Sequence, residues 1–376
     1  MTTNLSTQEL ERYQKHILLP EIGLSGQKKL KEAKVLVVGA GGLGCPVLLY
    51  LVSAGVGSIG IVDDDIVSLS NLQRQVLYTA DSVGKSKVET AKNSLQAINP
   101  EITIRAYAEK FSLENAAQLL QEYDLIIDCT DNLATRYAIN DACIRADKPF
   151  IYGSIHRYEG QVAVFNYTDA QGNTGPSYRC LFPEAAHEIA NCAETGVLGV
   201  LPGMIGMYQA LEAIKLITSI GKNLSGKLLL IDTLTYTQRI LTVKRNEEEI
   251  RKVKEGEYTN AKAIQACASE ASYKNITPEE LHQLIESQSE FILVDVREGN
   301  RMGNIDFEPN MTIPFTHLPG YIDELDQEPM VVVYCQTGRT STMAAQLLAG
   351  DYGLANIYNL SGGLIAWQQR NGALVK

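Results

Sequence analysis

The sequence predicts an α/β protein in two parts: a mostly parallel sheet covered by helices on both faces, then a smaller α/β unit. Three observations predict it. Short unbroken apolar runs, such as Lys34–Val38 and Leu125–Asp128, alternate with helix-length segments, as strands buried on both faces do. A glycine-dense turn, Gly39-Ala-Gly-Gly-Leu-Gly44, joins one such run to a helix. A charged and then alanine-rich stretch after residue 245 divides the chain. With 376 residues there is room for two or three domains of about 100–200 residues each. A content of 45% apolar and 20% charged residues is ordinary for a globular protein. The net charge of −11 gives no general attraction to nucleic acid or to an anionic membrane, and neither is an expected partner. Seven scattered cysteines, an odd number, are not a disulfide framework, and the polar start Met1–Gln8 is not a signal peptide. A reducing cytoplasm is the expected location.

Taken in order, Val35–Val62 runs 28 residues without a charge, longer than the ~20 a membrane span needs. Its seven glycines and Pro46 are clustered, so it reads instead as strand Lys34–Val38, glycine turn, helix Pro46–Ala54 and strand Ser58–Val62. Proline in a first helical turn costs nothing, because its missing N–H would have had no intrahelical partner. Further buried strands are expected at Leu125–Asp128, Phe150–Gly153, Val162–Phe165 and Leu228–Asp232. Gly203–Ile217 reads as a largely buried helix whose inner stripe is Met204, Met207, Leu211 and Ile214. The divisions are 1–245, a linker at 246–273 and a second unit at 274–376. In the latter, Ile276–Leu281 caps and starts a helix, Phe291–Val294 and Val331–Tyr334 are strands, and Thr342–Ala349 is a helix.

Gly39-x-Gly41-x-x-Gly44 between strand and helix, with Asp63 ending the next strand, is a nucleotide fingerprint. Backbone N–H groups at a helix N-terminus meet phosphate, and the acid meets a ribose hydroxyl. Alone it fits an NAD-dependent oxidoreductase as well as an ATP enzyme. Downstream come Ser70-Asn71-Leu72-Gln73-Arg74-Gln75 and Lys87, cations that hydride transfer does not require and a triphosphate does. Asp128-Cys-Thr-Asp131-Asn132 then ends a strand with carboxylates, which suits Mg²⁺ bridging phosphates.

These segments together closely resemble the MoeB/ThiF family of ATP-dependent enzymes that activate ubiquitin-like proteins, over about residues 8–245. The resemblance implies a Rossmann-like adenylating domain. In it, the C-terminal Gly-Gly carboxylate of a small sulfur carrier attacks the α-phosphorus of ATP and pyrophosphate leaves. It also implies a nucleotide site of Gly42, Asp63, Ser70, Asn71, Arg74, Lys87, Asp131 and Asn132. Asp131 is the implied Mg²⁺ ligand, and Arg74 and Lys87 stabilise phosphate charge. His156–Gln161 is expected near the carrier tail. Glu11–Ile17 resembles the family segment that reaches the ATP of the neighbouring subunit in homodimers. Lys15 stands there where arginine is frequent; it either serves that ATP or is a solvent-facing helix residue.

Relatives often hold zinc with two Cys-x-x-Cys pairs. This chain keeps only Cys180 of the first pair and nothing of the second, so no zinc is expected. Cys192 matches the loop cysteine that attacks the activated carrier in sulfur-transferring members, and is either that nucleophile or a buried inert thiol. Cys45, Cys129 and Cys143 fall in apolar patterns expected of the core. Cys267 receives no role.

Cys335-Gln-Thr-Gly-Arg-Thr-Ser341 follows a strand and precedes a helix, so loop N–H groups would favour a thiolate or persulfide anion. With Val294–Glu298 and Ser361–Trp367 it makes residues 275–376 resemble a rhodanese domain. A cysteine phosphatase would need arginine six residues after the cysteine, where Ser341 stands. Gln336 and Arg301–Glu308 depart from the rhodanese pattern. An adenylating domain joined to a persulfide-bearing one is the arrangement of MoeZ-like enzymes. The combined resemblance implies a carrier thiocarboxylate as product, with a cysteine desulfurase as sulfur donor, and the molybdopterin, thiamine, cysteine and transfer-RNA thiolation pathways remain open. A linker of roughly 28 flexible residues spans ~30 Å as a random coil, enough for Cys335 to reach the adenylate. The alternatives are a non-catalytic carrier-binding protein and a peptide adenylase.

Overall fold

A computed structural model describes residues 4–183, 196–258, 273–287, 289–297 and 309–373. The chain divides into two compact units, 1–267 and 268–376.

The first unit begins with three helices, α1 (Thr7–Arg12), α2 (Gln14–Ile17) and α3 (Gly23–Glu32). A strand–helix alternation follows: β1 (Lys34–Val38), α4 (Gly44–Ala54), β2 (Ser58–Val62), α5 (Lys87–Ile98), β3 (Thr103–Tyr107), α6 (Leu113–Gln121), β4 (Leu125–Asp128), α7 (Leu133–Arg145) and β5 (Phe150–His156). Next come β6 (Glu159–Phe165), the short α8 (Tyr178–Leu181), α9 (Val200–Thr218), β7 (Lys227–Asp232), β8 (Thr237–Thr242) and α10 (Glu247–Glu255). The sheet order is β3-β2-β1-β4-β5-β6-β7-β8, parallel through β5 and antiparallel beyond it. Leu36 and Val37 on β1 are both fully buried although they point to opposite faces. One face packs on α4, α5 and α9, and the other on α6 and α7. Strand order reverses between β1 and β4, so their carboxyl ends flank the crevice where open α/β sheets take ligands.

Two expectations change. Residue 246 does not open a linker: Asn246 caps α10, and Ile250 and Val253 bury against Ile144 of α7. One turn of spacing puts both apolar residues on one side of an otherwise charged run. Half of the stripe assigned to the core on α9 faces outward instead, with Met207 and Leu211 41% and 48% exposed, while Met204 is half-buried and Ile214 packs against the core. The inner face is Leu201, Ile205, Gly206, Gln209, Ala210 and Ala213, of which the small Gly206, Ala210 and Ala213 let α9 press onto α4 and the sheet. A helix apolar all round gives periodicity no way to choose a face. α9 is also the one described helix long and apolar enough to cross a membrane, and it lies against β5 and β6.

The second unit has a five-stranded parallel sheet of β9 (Lys274–Ile276), β10 (Ile292–Asp295), β11 (Met311–Thr312), β12 (Val331–Tyr334) and β13 (Ile357–Leu360), ordered β11-β10-β12-β13-β9. Cys335 follows its central strand. The helix after it begins at Arg339, three residues earlier than the sequence suggests, because Gly338 in the left-handed region (φ 84°) turns the chain directly into it.

Candidate functional sites

At the carboxyl ends of β1, β2 and β4 lies a cleft of about 290 Å³ lined by Gly41, Gly42, Asp63, Arg74, Lys87, Asp131 and Asn132, among others. Two of the loop glycines are required by packing. Gly39 has φ 97°, and a Cβ there would lie 2.6 Å from the Cys129 carbonyl oxygen; one on Gly44 would lie 2.0 Å from that of Gly39. Gly41 has only an ordinary contact, at 3.5 Å, so its lack of a side chain leaves the backbone open to a ligand.

The charged groups are already oriented. Asp63 accepts the Ala40 N–H (2.7 Å) and the Asp65 N–H (2.9 Å). Burial pushes its carboxyl above the ordinary range, against the pull of Lys87 and those two N–H groups. Lys87 is buried at the start of α5 and donates to the exposed Asp65 carboxylate at 2.7 Å. Arg74 donates to the Ser70 carbonyl at 3.0 Å. Ser70 and Asn71 do not line the cleft. They shape the turn that presents Arg74, with Asn71 Oδ1 accepting the Ser68 N–H and the Ser70 hydroxyl 3.1 Å from that of Ser68. Asn132 lines the cleft and also caps α7 through the Thr135 N–H at 2.8 Å. Lys15 is exposed on α2 and is not part of this cleft.

Asp128 is no metal ligand, contrary to the pair of carboxylates read from the sequence. It is fully buried; one oxygen takes the Thr130 N–H and hydroxyl, and the other takes Arg136 Nε at 3.0 Å. Arg136 also donates to the carbonyls of Thr130 and Gly153 and lies over the Tyr152 ring. It ties the ends of β4 and β5 together beneath Asp131 and beside Ser154 and Ile155, which line the cleft. Asp131 is exposed and has no hydrogen bond or ion pair among the described residues, so its carboxylate is available to a hard cation. Sequence reasoning missed Arg136 and the Glu109–Phe111 wall, and gave no role to Gln75, the last residue of the motif, which also lines the cleft. His156–Gln161 forms the β5–β6 hairpin next to Ser154 and Ile155, and Leu198 N–H reaches Arg157 O at 3.3 Å. Cys180 Sγ accepts the N–H groups of Ser177 (3.3 Å) and Asn246 (3.2 Å). Cys45, Cys129 and Cys143 are buried in the core, and burial raises each thiol. Cys192 and Cys267 lie outside the described residues, as does Arg301–Glu308.

In the second unit Cys335 is 2% exposed. Burial pushes its thiol up, but the Ser341 hydroxyl and N–H, the Thr337 N–H and the Thr340 hydroxyl outweigh it and leave the thiol below its ordinary range. The loop rests on the Gly362–Gly363 turn: Leu364 N–H donates to Cys335 O at 2.9 Å, and a Cβ on Gly363 would lie 2.4 Å from that oxygen. Asp295 holds Arg297 in a buried pair, and Arg297 reaches Gln336 Oε1 at 3.3 Å.

A glycine-loop cleft on an α/β sheet and a strand-end cysteine cradled by N–H groups on a parallel sheet define the class. The chain belongs to the ThiF family, matched over residues 13–252, and carries a rhodanese-like domain over residues 277–370. It is similar to a probable adenylyltransferase/sulfurtransferase MoeZ of Mycobacterium tuberculosis, 41% identical over 97% of this chain and 94% of that one. A sulfur carrier protein adenylyltransferase of Thermus thermophilus is 50% identical over 64% of this chain and 89% of its own. The adenylyltransferase and sulfurtransferase MOCS3 of Culex quinquefasciatus is 39% identical over 97% and 88%. Among solved structures, Escherichia coli MccB shares the fold, with TM-score 0.56 and 24% identity over 65% of this chain and 74% of that one.

Proposed function

We propose that this chain adenylates the C-terminal Gly-Gly carboxylate of a small ubiquitin-like sulfur carrier and then converts it to a thiocarboxylate. A carboxylate oxygen attacks the α-phosphorus of ATP, and pyrophosphate leaves. The terminal sulfur of a Cys335 persulfide attacks the acyl carbon, and AMP leaves. A thiolate, from Cys192 or an external thiol, then attacks the Cys335 sulfur. The carrier thiocarboxylate departs, and the two cysteine-type sulfurs are left as a disulfide that an external thiol reduces. The supporting observation is the pairing, in one chain, of a cleft bearing Arg74, Lys87 and Asp131 with a Cys335 whose thiol is lowered. Relatives named for both activities align along nearly its whole length.

Arg74 and Lys87 would meet the phosphates and Asp63 the ribose. Asp131 would hold Mg²⁺, which neutralises phosphate charge when bound. A cysteine desulfurase would load Cys335, and a cytoplasmic setting would keep its thiol reduced. We also propose a homodimer. The exposed apolar side of α9, with Val200, Met207 and Leu211, suits burial against a second copy, and Lys15 would serve that copy's cleft. Sedimentation as a monomer at micromolar concentration removes that part.

The deciding experiment is ATP–pyrophosphate exchange with Mg²⁺ and a panel of carriers ending in Gly-Gly. Exchange with one carrier is expected and names the pathway. ATP binding without exchange for any of them would favour a peptide substrate or a non-catalytic carrier-binding protein.

A further inference from the structure

Ala40, between Gly39 and Gly41 of the glycine loop, is fully buried and is held by both of its backbone polar groups. Its N–H donates to Asp63 at 2.7 Å. Its carbonyl accepts the Tyr78 hydroxyl at 2.7 Å and the Cys45 thiol at 3.6 Å. Tyr78 belongs to the apolar core, is 6% exposed and does not line the cleft. Burial pushes its hydroxyl and the Cys45 thiol up, so both keep their protons and remain donors. The Ala40–Gly41 peptide is planar and trans, so its carbonyl and its N–H point in opposite directions. With the Ala40 carbonyl turned into the core, the Gly41 N–H is turned out of it. That N–H has no hydrogen-bond partner among the described residues, and Gly41 lines the cleft.

We infer that Tyr78 is a positioning residue for nucleotide binding: it fixes the Ala40–Gly41 peptide so that the Gly41 N–H faces a phosphate oxygen before the ligand arrives. The opposite orientation of the same peptide would set a carbonyl oxygen against the phosphates and leave the N–H in the core without an acceptor. A donor fixed in advance needs no reorganisation when the anion binds, which is what makes such a group effective. The inference rests on the ATP reading above. What it adds is a residue outside the cleft and outside the motifs, acting on the ligand only through the backbone it holds.

The test is Tyr78→Phe, which keeps the packed ring and removes the hydroxyl. The Ala40 carbonyl is then left with the Cys45 thiol, a weak donor, as its inward partner. Binding of ATP and of adenosine is measured by equilibrium titration at a temperature where parent and variant are both folded. ATP is expected to bind about tenfold more weakly, the scale of one hydrogen bond to a charged group, with adenosine unchanged. Unchanged ATP affinity overturns the inference. An equal loss for adenosine also overturns it, because a role confined to packing does not single out the phosphates. The Gly41 amide is read directly by nuclear magnetic resonance. Isotope labels on alanine carbonyl carbon and glycine nitrogen select the glycines that follow an alanine, which are Gly41, Gly55 and Gly350. In the parent, ATP is expected to shift the Gly41 amide well beyond the shift adenosine gives. If Tyr78→Phe does not fold, this parent spectrum decides: a Gly41 amide that ATP moves no further than adenosine does overturns the inference. A parent protein that binds no ATP overturns the underlying reading along with it.

Discussion

Cys335→Ala is expected to abolish thiocarboxylate formation while leaving carrier-dependent ATP–pyrophosphate exchange at the parent rate. The carboxylate attack on ATP uses the first unit's cleft, which Cys335 does not line. The sulfur step needs a nucleophile at this one position, and alanine supplies none. Mass spectrometry of the carrier after incubation with ATP and a persulfide donor checks the first half, and the exchange assay checks the second. If thiocarboxylate still forms, the sulfur comes from elsewhere and the second unit is idle. The same variant isolates the thiol's ionisation. Ultraviolet thiolate absorbance of the parent minus that of the variant should titrate with a midpoint below that of an ordinary cysteine, because donors from Thr337, Thr340 and Ser341 favour the anion despite its burial. The sign follows: the thiolate persists to lower pH than a free cysteine's, and Cys335 loading falls off only as pH drops through that depressed midpoint. Since the folded pKa is the lower one, ionisation of Cys335 stabilises the fold above the unfolded thiol's pKa, and that contribution is lost as pH falls through the folded value.

Strands buried on both faces were the readable part of this fold. β1, β2, β4 and β12 occupy the residues that their apolar runs suggest, because every residue after the first in β1 and β2 and every residue of β4 and β12 is buried, and a glycine, acid or cysteine ends each run. Edge strands were not readable. β8 (Thr237–Thr242) is exposed along nearly its whole length, so no apolar pattern marks it, and β3 has a single fully buried residue, Ile104. Their pairing is written in their neighbours' free backbone groups, which sequence does not display. The same holds for α10, where two apolar residues one turn apart were hidden in a charged run.

The site divided along similar lines. Motif positions carried Gly42, Asp63, Arg74, Lys87, Asp131 and Asn132 into one cleft. What the motif did not distinguish was which of its members face a ligand and which hold the others in place. Ser70 and Asn71 are conspicuous in sequence and serve the turn, whereas Gln75, at the motif's end, turns inward. Arg136 looks like an ordinary helical arginine until β4 and β5 are brought beside it, and its partners lie at sequence separations of 8 and 17.

Arg136→Met is therefore expected to have the largest effect on stability. Asp128 is fully buried, and Arg136 is 6% exposed. Burial works against the guanidinium's charge, and Asp128 holds it, keeping the arginine charged at any working pH. Removing the cation leaves a buried carboxylate with only Thr130 as donor, a loss on the order of 3–5 kcal/mol. Asp128→Asn strands the cation instead and should cost a similar amount. The double variant should cost less than the sum, because the second change removes the charge that the first exposed. Denaturant titration can localise the effect, since Trp367, the single tryptophan, lies in the second unit. Far-ultraviolet circular dichroism should show an early transition while tryptophan fluorescence keeps the parent midpoint. Arg136→Lys separates position from charge: it keeps the cation but cannot reach Asp128, Thr130 O and Gly153 O together. It should stay folded and yet lower pyrophosphate exchange about tenfold, through a displaced Asp131, in line with the cost of misplacing a catalytic group by a fraction of an ångström. If each single variant costs less than about 1 kcal/mol, the pair is incidental and the strand ends are held by their ladder alone.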